Sequence, residues 1–195
     1  MEMNNIMSSL SSTKYSYEIE FFDKSRFTRA VVIKSDHHFT SCDVNSYGLL
    51  LGSTPQKPTD IVMNDGYDID EPKDNNDDII KESIIRYKPI SRNNEYRTFS
   101  SEKDCEWTYT LPIGEECVSV GLTRKYALIA TNKRDLRILS IGGLQTHQII
   151  PLSKTVINIA SNMKNIVVIT FEDLSFIVID LDDTNNNSFE GKMCI

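Results

Sequence analysis

The sequence predicts an all-β chain of short antiparallel strands, and three observations carry that prediction. Residues 105–152 hold five short apolar bursts separated by Gly, Pro, Asn, Lys and Arg, leaving no room for an amphipathic helix of ~10 residues. Short strands at this even spacing mark a sandwich, a barrel or a propeller. The bursts also recur. Strands beginning at Val118, Tyr126 and Leu136 are followed by strands beginning at Val156, Ile166 and Phe176, at offsets of 38, 40 and 40 residues. A strand-built self-repeat of about 40 residues points to propeller blades of about four strands. Finally, the second strand of each unit, 126–130 and 166–169, is continuously apolar, as befits a strand covered on both faces.

In chain order, residues 1–14 are rich in Ser and Asn and are expected to be a disordered tail. Residues 15–22 alternate and read as a strand, and 28–34, containing Ala30-Val31-Val32-Ile33, as a second. Residues 39–44 and 47–52 give two more, joined around the turn pair Asn45-Ser46. From 53 to 94 the character changes, with Pro55, Pro58 and Pro72 among its four prolines, an Asn-Asn-Asp-Asp run and few consecutive apolar residues. Such a stretch buries too little apolar surface to offset its ordering entropy, so most of it is expected to be a disordered acidic insertion. Residues 79–85 read as a short helix or strand within it.

The sheet is expected to resume at 96–99 and 106–111, followed by the two repeat units from 116 to 181. Laid over the repeat, onsets at Thr40 and Gly48 match Val118 and Tyr126, and onsets at Tyr96 and Glu106 match Leu136 and Thr146. The expected architecture is a partial, open β-propeller of four-stranded antiparallel blades over residues 15–181. It comprises two outer strands, two full blades and three strands of another, about two and a half blades in all. Residues 182–195 are expected to be a polar tail. A closed propeller has about four to eight blades. The chain is therefore expected either to be a fragment or truncated product or to have its open edges covered by something else; alone it is expected to be unstable or self-associated, with further blades needed for a stable trimer.

Composition narrows the function. The formal net charge of −7 comes from one segment: residues 60–82 carry nine acidic side chains and two lysines, and the rest of the chain is balanced. The expected folded part is neither a basic nucleic-acid surface nor an acidic body. Four scattered cysteines without C-x-x-C spacing do not form a disulfide framework and suit a reducing compartment. Neither a basic n-region nor an apolar run of ~18 residues is seen, so a soluble, intracellular protein is expected.

No reactive constellation emerges. A nucleophilic cysteine needs a histidine to activate it, and none of His37, His38 and His147 sits in a catalytic signature with Cys42, Cys105 or Cys117. A cysteine hydrolase would require activity lost on Cys→Ala at one of these three positions. His37 and His38, adjacent on a strand, point to opposite faces and cannot chelate one ion. The acidic stretch resembles a calcium loop only in composition, because Gly66 would put Ile61 in the first ligand position. No phosphate-cradling glycine motif and no G-x-S-x-G is present. Arg124, Lys125, Lys133, Arg134 and Arg137 read as solvated hairpin tips rather than a DNA-binding patch. No catalytic residue, cofactor site or metal site is expected.

From Glu106-Trp107 to Ile159-Ala160 the order of residues is specific. Glu-Trp and Leu-Pro precede a Val-Ser-Val strand, then come an aromatic-Ala-x-x-Ala-Thr strand and Leu136-Arg137-Ile-Leu-Ser-Ile-Gly142-Gly143-Leu-Gln145. This resembles the second propeller of the WD-repeat and HMG-box DNA-binding protein family, whose fungal members are called minichromosome loss or chromosome transmission fidelity proteins. The signature residues are Trp107, Leu111, Pro112, Leu136, Arg137, Gly142, Gly143 and Gln145. Upstream, the segments at 19–23, 39–43 and 48–51 resemble strands that open that domain. Ser153-Lys154-Thr155 stands where family members usually carry Gly-Pro.

The resemblance implies a nuclear, non-enzymatic replisome adaptor. Such proteins assemble as homotrimers and tether the replicative helicase, through GINS, to DNA polymerase alpha–primase, with any DNA contact indirect or weak. The family's N-terminal WD-repeat propeller, helical bundle and HMG box have no counterpart here. Client-peptide binding by the bundle therefore does not carry over. The other reading of the residues is a generic WD-repeat-like interaction scaffold of another nuclear or cytoplasmic complex, since fold alone does not fix function. Trp107 is expected to fill an inter-blade layer, Gly142 and Gly143 to permit a tight strand exit, and 126–130 to form a buried inner strand.

Overall fold

The computed structural model of the chain describes residues 15–20, 31–55, 82–90, 106–182 and 188–192. Among the described residues every regular element is a β-strand. Strands β1 (Tyr15–Ile19) and β2 (Val31–Ser35) form a two-stranded sheet. The first four-stranded sheet is β3 (Phe39–Val44), β4 (Gly48–Ser53), β5 (Ile84–Pro89) and β6 (Trp107–Thr110). The second is β7 (Cys117–Leu122), β8 (Tyr126–Thr131), β9 (Asp135–Ser140) and the two-residue β10 (Ile150–Pro151). The third is β11 (Val156–Ser161), β12 (Ile166–Phe171), β13 (Ser175–Asp180) and β14 (Ser188–Lys192). Within each sheet, strands consecutive in sequence pair antiparallel. The sheets stack in an open series of four-stranded, blade-like units, as the fold class predicted, and they do not close.

Burial follows from the two-residue period of a strand. On β4, Leu49 and Leu51 face the β1–β2 pair while Leu50 faces the second sheet. On β8, Ala127 and Ile129 face the first sheet, and Leu128 and Ala130 the third. Both strands are covered on both sides, which is why their sequences are continuously apolar. Strand β12 differs. Val167, Ile169 and Phe171 are buried against the second sheet, whereas Ile166, Val168 and Thr170 are only half-buried on a face that no described element covers.

Three expectations change. The third strand of the first sheet is β5, inside the stretch read as an insertion, rather than a strand beginning at Tyr96; residues 96–99 lie outside the described residues. Alternation in Ile84-Ile85-Arg86-Tyr87 drives it, burying Ile85 and Tyr87 against Leu50. The fourth strand of the second sheet is Ile150–Pro151 rather than one beginning at Thr146, which nonetheless donates its N–H to the Ile138 carbonyl at 3.1 Å. The residues read as a polar tail contain β14, which completes the third sheet. Gly191 there lies under the Phe176 ring, where a side chain would collide. The N-terminal tail, nearly all of 60–82, Cys105 and Cys194 lie outside the described residues.

Candidate functional site

With no reactive cluster among the described residues, the candidate functional feature is the way the sheets are joined. The innermost strands β3, β7 and β11 each carry a β-bulge at the same place, between Phe39 and Ser41, Cys117 and Ser119, and Val156 and Asn158. A bulge re-aims the residues beside it. Ser41 Oγ accepts the Val120 N–H at 3.0 Å, and Ser119 Oγ accepts the Ile159 N–H at 3.0 Å. The bonds advance together along both strands, so neighbouring inner strands run parallel. Asp43 extends the joint: its Oδ2 accepts from Leu122 N at 2.7 Å and from Ser161 Oγ at 2.8 Å, tying all three sheets together.

The hairpin ends repeat the device. Asn45 Oδ1 caps its own turn by accepting from Tyr47 N and Gly48 N at 2.8 and 3.1 Å. Its Nδ2 donates to the Leu122 and Thr123 carbonyls of the next sheet at 3.1 and 3.0 Å. Between the second and third sheets, Asn165 Oδ1 accepts the Lys125 N–H at 3.2 Å. Asn165 holds a φ of 61°, a left-handed conformation that asparagine tolerates better than most residues.

Of the signature residues, Trp107, Leu111, Arg137 and Gly143 lie in the joint between the first and second sheets. Trp107, half-buried, stacks on the fully buried Tyr87 with ring centroids 5.6 Å apart, and its Nε1–H donates to the Ile141 carbonyl at 2.9 Å. Gly143, at a φ of 87°, packs against the same indole and closes its turn by donating to Ser140 O at 2.9 Å. Gly142 precedes it, half-buried, and Gln145, exposed, bridges to Leu139. Leu111 and Leu136 are buried, Leu136 on the face toward the third sheet. Pro112 is exposed, and its carbonyl accepts from Glu115 N at 2.9 Å to close the turn that leads to β7.

Arg137 does not sit in a solvated tip. It lies on β9, nearly buried, and its guanidinium grips Glu115 twice, Nε to Oε2 at 3.0 Å and Nη2 to Oε1 at 2.6 Å. Its Nη1 reaches Tyr109 Oη of the first sheet at 3.5 Å. The hydrogen bond to Glu115 first, then its charge, hold the guanidinium pKa above its ordinary value. A bidentate pair this dry stabilises only as a pair, because removing one partner strands the other's charge. Arg124, Lys133 and Arg134 are exposed, and Lys125 pairs with Asp182 at 2.8 Å.

Cys117 is buried, and burial pushes its thiol up to about 12, far from a reactive thiolate. Cys42 is exposed on β3. Among the described residues no three His, Cys, Asp or Glu side chains could hold a metal ion, and no helix is long and apolar enough to cross a membrane. Tyr87, Glu115, Asp43 and the joint residues Ser41, Ser119 and Asn158 were not singled out in the sequence. The last three were findable, because they recur at offsets of 78 and 39 residues.

A family model described as minichromosome loss protein, Mcl1, middle region, matches residues 1–195. Comparison with curated proteins gives no match. Among solved structures, the chain is similar to one described as the crystal structure of HIRA(644-1017), with 13% sequence identity and a TM-score of 0.45. That likeness covers 74% of this chain and 35% of the other, so the chain spans about a third of that structure's length.

Proposed function

This chain belongs to the family of the middle region of minichromosome loss protein Mcl1, and from that premise we propose that it is a non-enzymatic scaffold of the DNA replication machinery in the nucleus. In this reading, copies assembled as a homotrimer connect the replicative helicase, through GINS, to DNA polymerase alpha–primase. The family match over the whole chain carries the proposal. The joints are consistent with it. Main-chain donors of one sheet are held by side chains of the next, and an ion pair and a stacked indole close the outer half. A stack fixed in this way can present surfaces to several partners without rearranging. The thiol of Cys117 is too well buried to serve as a nucleophile.

Affinity purification of the tagged chain from nuclear extract, with its fold verified by circular dichroism, is the test. Recovery of GINS and polymerase alpha subunits supports the adaptor role. Their reproducible absence from a folded bait sinks it.

A further inference from the structure

Thr54 is the first residue past β4, and in the sequence it is the one serine or threonine that precedes a proline. The residues there run Ser53-Thr54-Pro55-Gln56-Lys57, so the hydroxyl is followed at once by proline and, three places on, by a lysine. Proline has no N–H and bars its predecessor from the helical region, which keeps Thr54 extended. A protein kinase takes its substrate as an extended segment. Proline next to the hydroxyl suits a kinase whose pocket offers that position no hydrogen-bond acceptor, and a cation three residues along suits an anionic contact on the enzyme.

The fold sorts Thr54 from the hydroxyls beside it. Ser53 and Ser83 are buried and both belong to one tie between the sheets. The Ser83 hydroxyl donates to Ser53 O, Ile84 N donates to Ser53 Oγ at 2.9 Å, and Cys117 N donates to Ser83 Oγ at 3.1 Å. Thr54 is only half-buried, and among the described residues its hydroxyl makes no hydrogen bond and is not an enclosed polar atom. On its N-terminal side Leu51, Gly52 and Ser53 are locked in the sheet and buried. An enzyme therefore reaches Thr54 from the C-terminal side, which is where Pro55 and Lys57 stand.

We infer that Thr54 is a phosphorylation site for a proline-directed protein kinase that also reads Lys57, and that the phosphate loosens the tie between the first and second sheets. Thr54 Oγ1 attacks the γ-phosphorus of ATP, the bond from that phosphorus to the departing ADP breaks, and the hydroxyl proton passes to the kinase's carboxylate base. The product carries a charge of about −1.5 to −2 at pH 7. Continuing the register that pairs Gly52 with Ile85, Thr54 stands across from Ser83. Glu82 and Glu116, both exposed, adjoin Ser83 and Cys117, and Glu82 ends the span 60–82 whose nine acidic and two basic residues give a net −7. A dianion added among these carboxylates acts by like-charge repulsion, at the end of the strand that Ser53 and Ser83 hold closed. The inference stands apart from the replication role.

The test incubates the full chain, its fold verified by circular dichroism, with ATP and a purified cyclin-dependent kinase, and locates phosphate by peptide-mapped mass spectrometry. Thr54 is expected to be the modified residue, and Thr54→Val to remove the signal. Pro55→Ala and Lys57→Ala should each slow incorporation by ~10-fold or more. The phosphorylated chain, compared with the same chain incubated without ATP, should show faster amide exchange at Ile84 and Cys117 and a melting temperature lower by roughly 2–4 °C. Thr54→Val treated in the same way should show neither change. No phosphate at Thr54 of the folded chain overturns the site, and an undiminished rate in Lys57→Ala overturns the part given to Lys57. Unchanged exchange and melting in the phosphorylated chain overturn the effect on the tie.

Discussion

Ser119 Oγ accepts the main-chain N–H of Ile159 at 3.0 Å, so a serine on one inner strand satisfies a buried donor on the next, forty residues along the chain. An N–H left unpaired in such a place costs ~1–3 kcal/mol. Ser119→Ala is therefore expected to destabilise by about that amount in urea titration. Ser161→Ala should cost less, because Leu122 N keeps its bond to Asp43 Oδ2 when the Ser161 hydroxyl is gone. Equal losses from the two variants would show that the hydroxyls contribute through something other than these donors.

Gly143 and Trp107 make a second, independently testable contact. A Cβ on Gly143 would stand 2.9 Å from the indole, on a backbone at a φ of 87°. Gly143→Ala is expected to cost ~1–3 kcal/mol and to push the ring off Tyr87. Trp107 is the chain's one tryptophan, so its emission reports the displacement directly. The expected result is a red shift in the folded variant, with the melting midpoint lowered. Unchanged emission would mean that the turn rearranges and spares the ring.

The burial of Cys117 has a pH signature. Its folded pKa is about 12 against 9.0 for the free thiol, because desolvation penalises the thiolate. The folded chain keeps a proton that the unfolded chain releases, so stability falls as pH rises from 9 toward 12, by about 1.4 kcal/mol per pH unit. Lysines and tyrosines titrate in the same window, so the measurement is a difference: urea midpoints of the natural chain against Cys117→Ala from pH 8 to 11. The natural chain should lose stability more steeply. Peptide-mapped alkylation of the folded chain at pH 8 should modify Cys42 and leave Cys117 untouched. Parallel pH curves, or a labelled Cys117, would show that the thiol reaches water.

What the sequence disclosed follows from what burial does to it. Strands β4 and β8 are enclosed on both faces, so their apolar runs stand out from their surroundings. The repeat was visible because the units from β7 to β13 keep one spacing. Strand β5 was hidden because its alternation follows an acidic stretch, and its stability comes from Leu50 on a distant strand. Strand β14 was hidden behind an Asn run and exists through pairing with β13. At the joints, Trp107, Gly143 and Arg137 were recognisable as types in an order. The partnership of Arg137 with Glu115 was not, because a charge on a strand reads as solvent-facing until the neighbouring turn is placed. Ser41, Ser119 and Asn158 depend on a bulge, which leaves no mark in composition and shows in the sequence only as their recurrence at offsets of 78 and 39 residues.

The span between β4 and β5 yields the last prediction. Its two ends are tied beside each other: the Ser83 hydroxyl donates to Ser53 O, and Ile84 N donates to Ser53 Oγ at 2.9 Å. Ser83 Oγ also accepts the Cys117 N–H at 3.1 Å, so the tie reaches the second sheet. Closing a shorter loop costs less entropy, by ~0.6 kcal/mol for each halving of its length. Replacing residues 56–81 with a six-residue Gly-Ser linker should therefore leave the melting temperature unchanged or raise it slightly, with Trp107 emission as in the natural chain. Ser83→Ala, which removes the tie to both sheets, should cost ~1–3 kcal/mol in either background. A shortened chain that no longer folds would show that residues 56–81 contribute to the core, and that the acidic stretch is not an insertion.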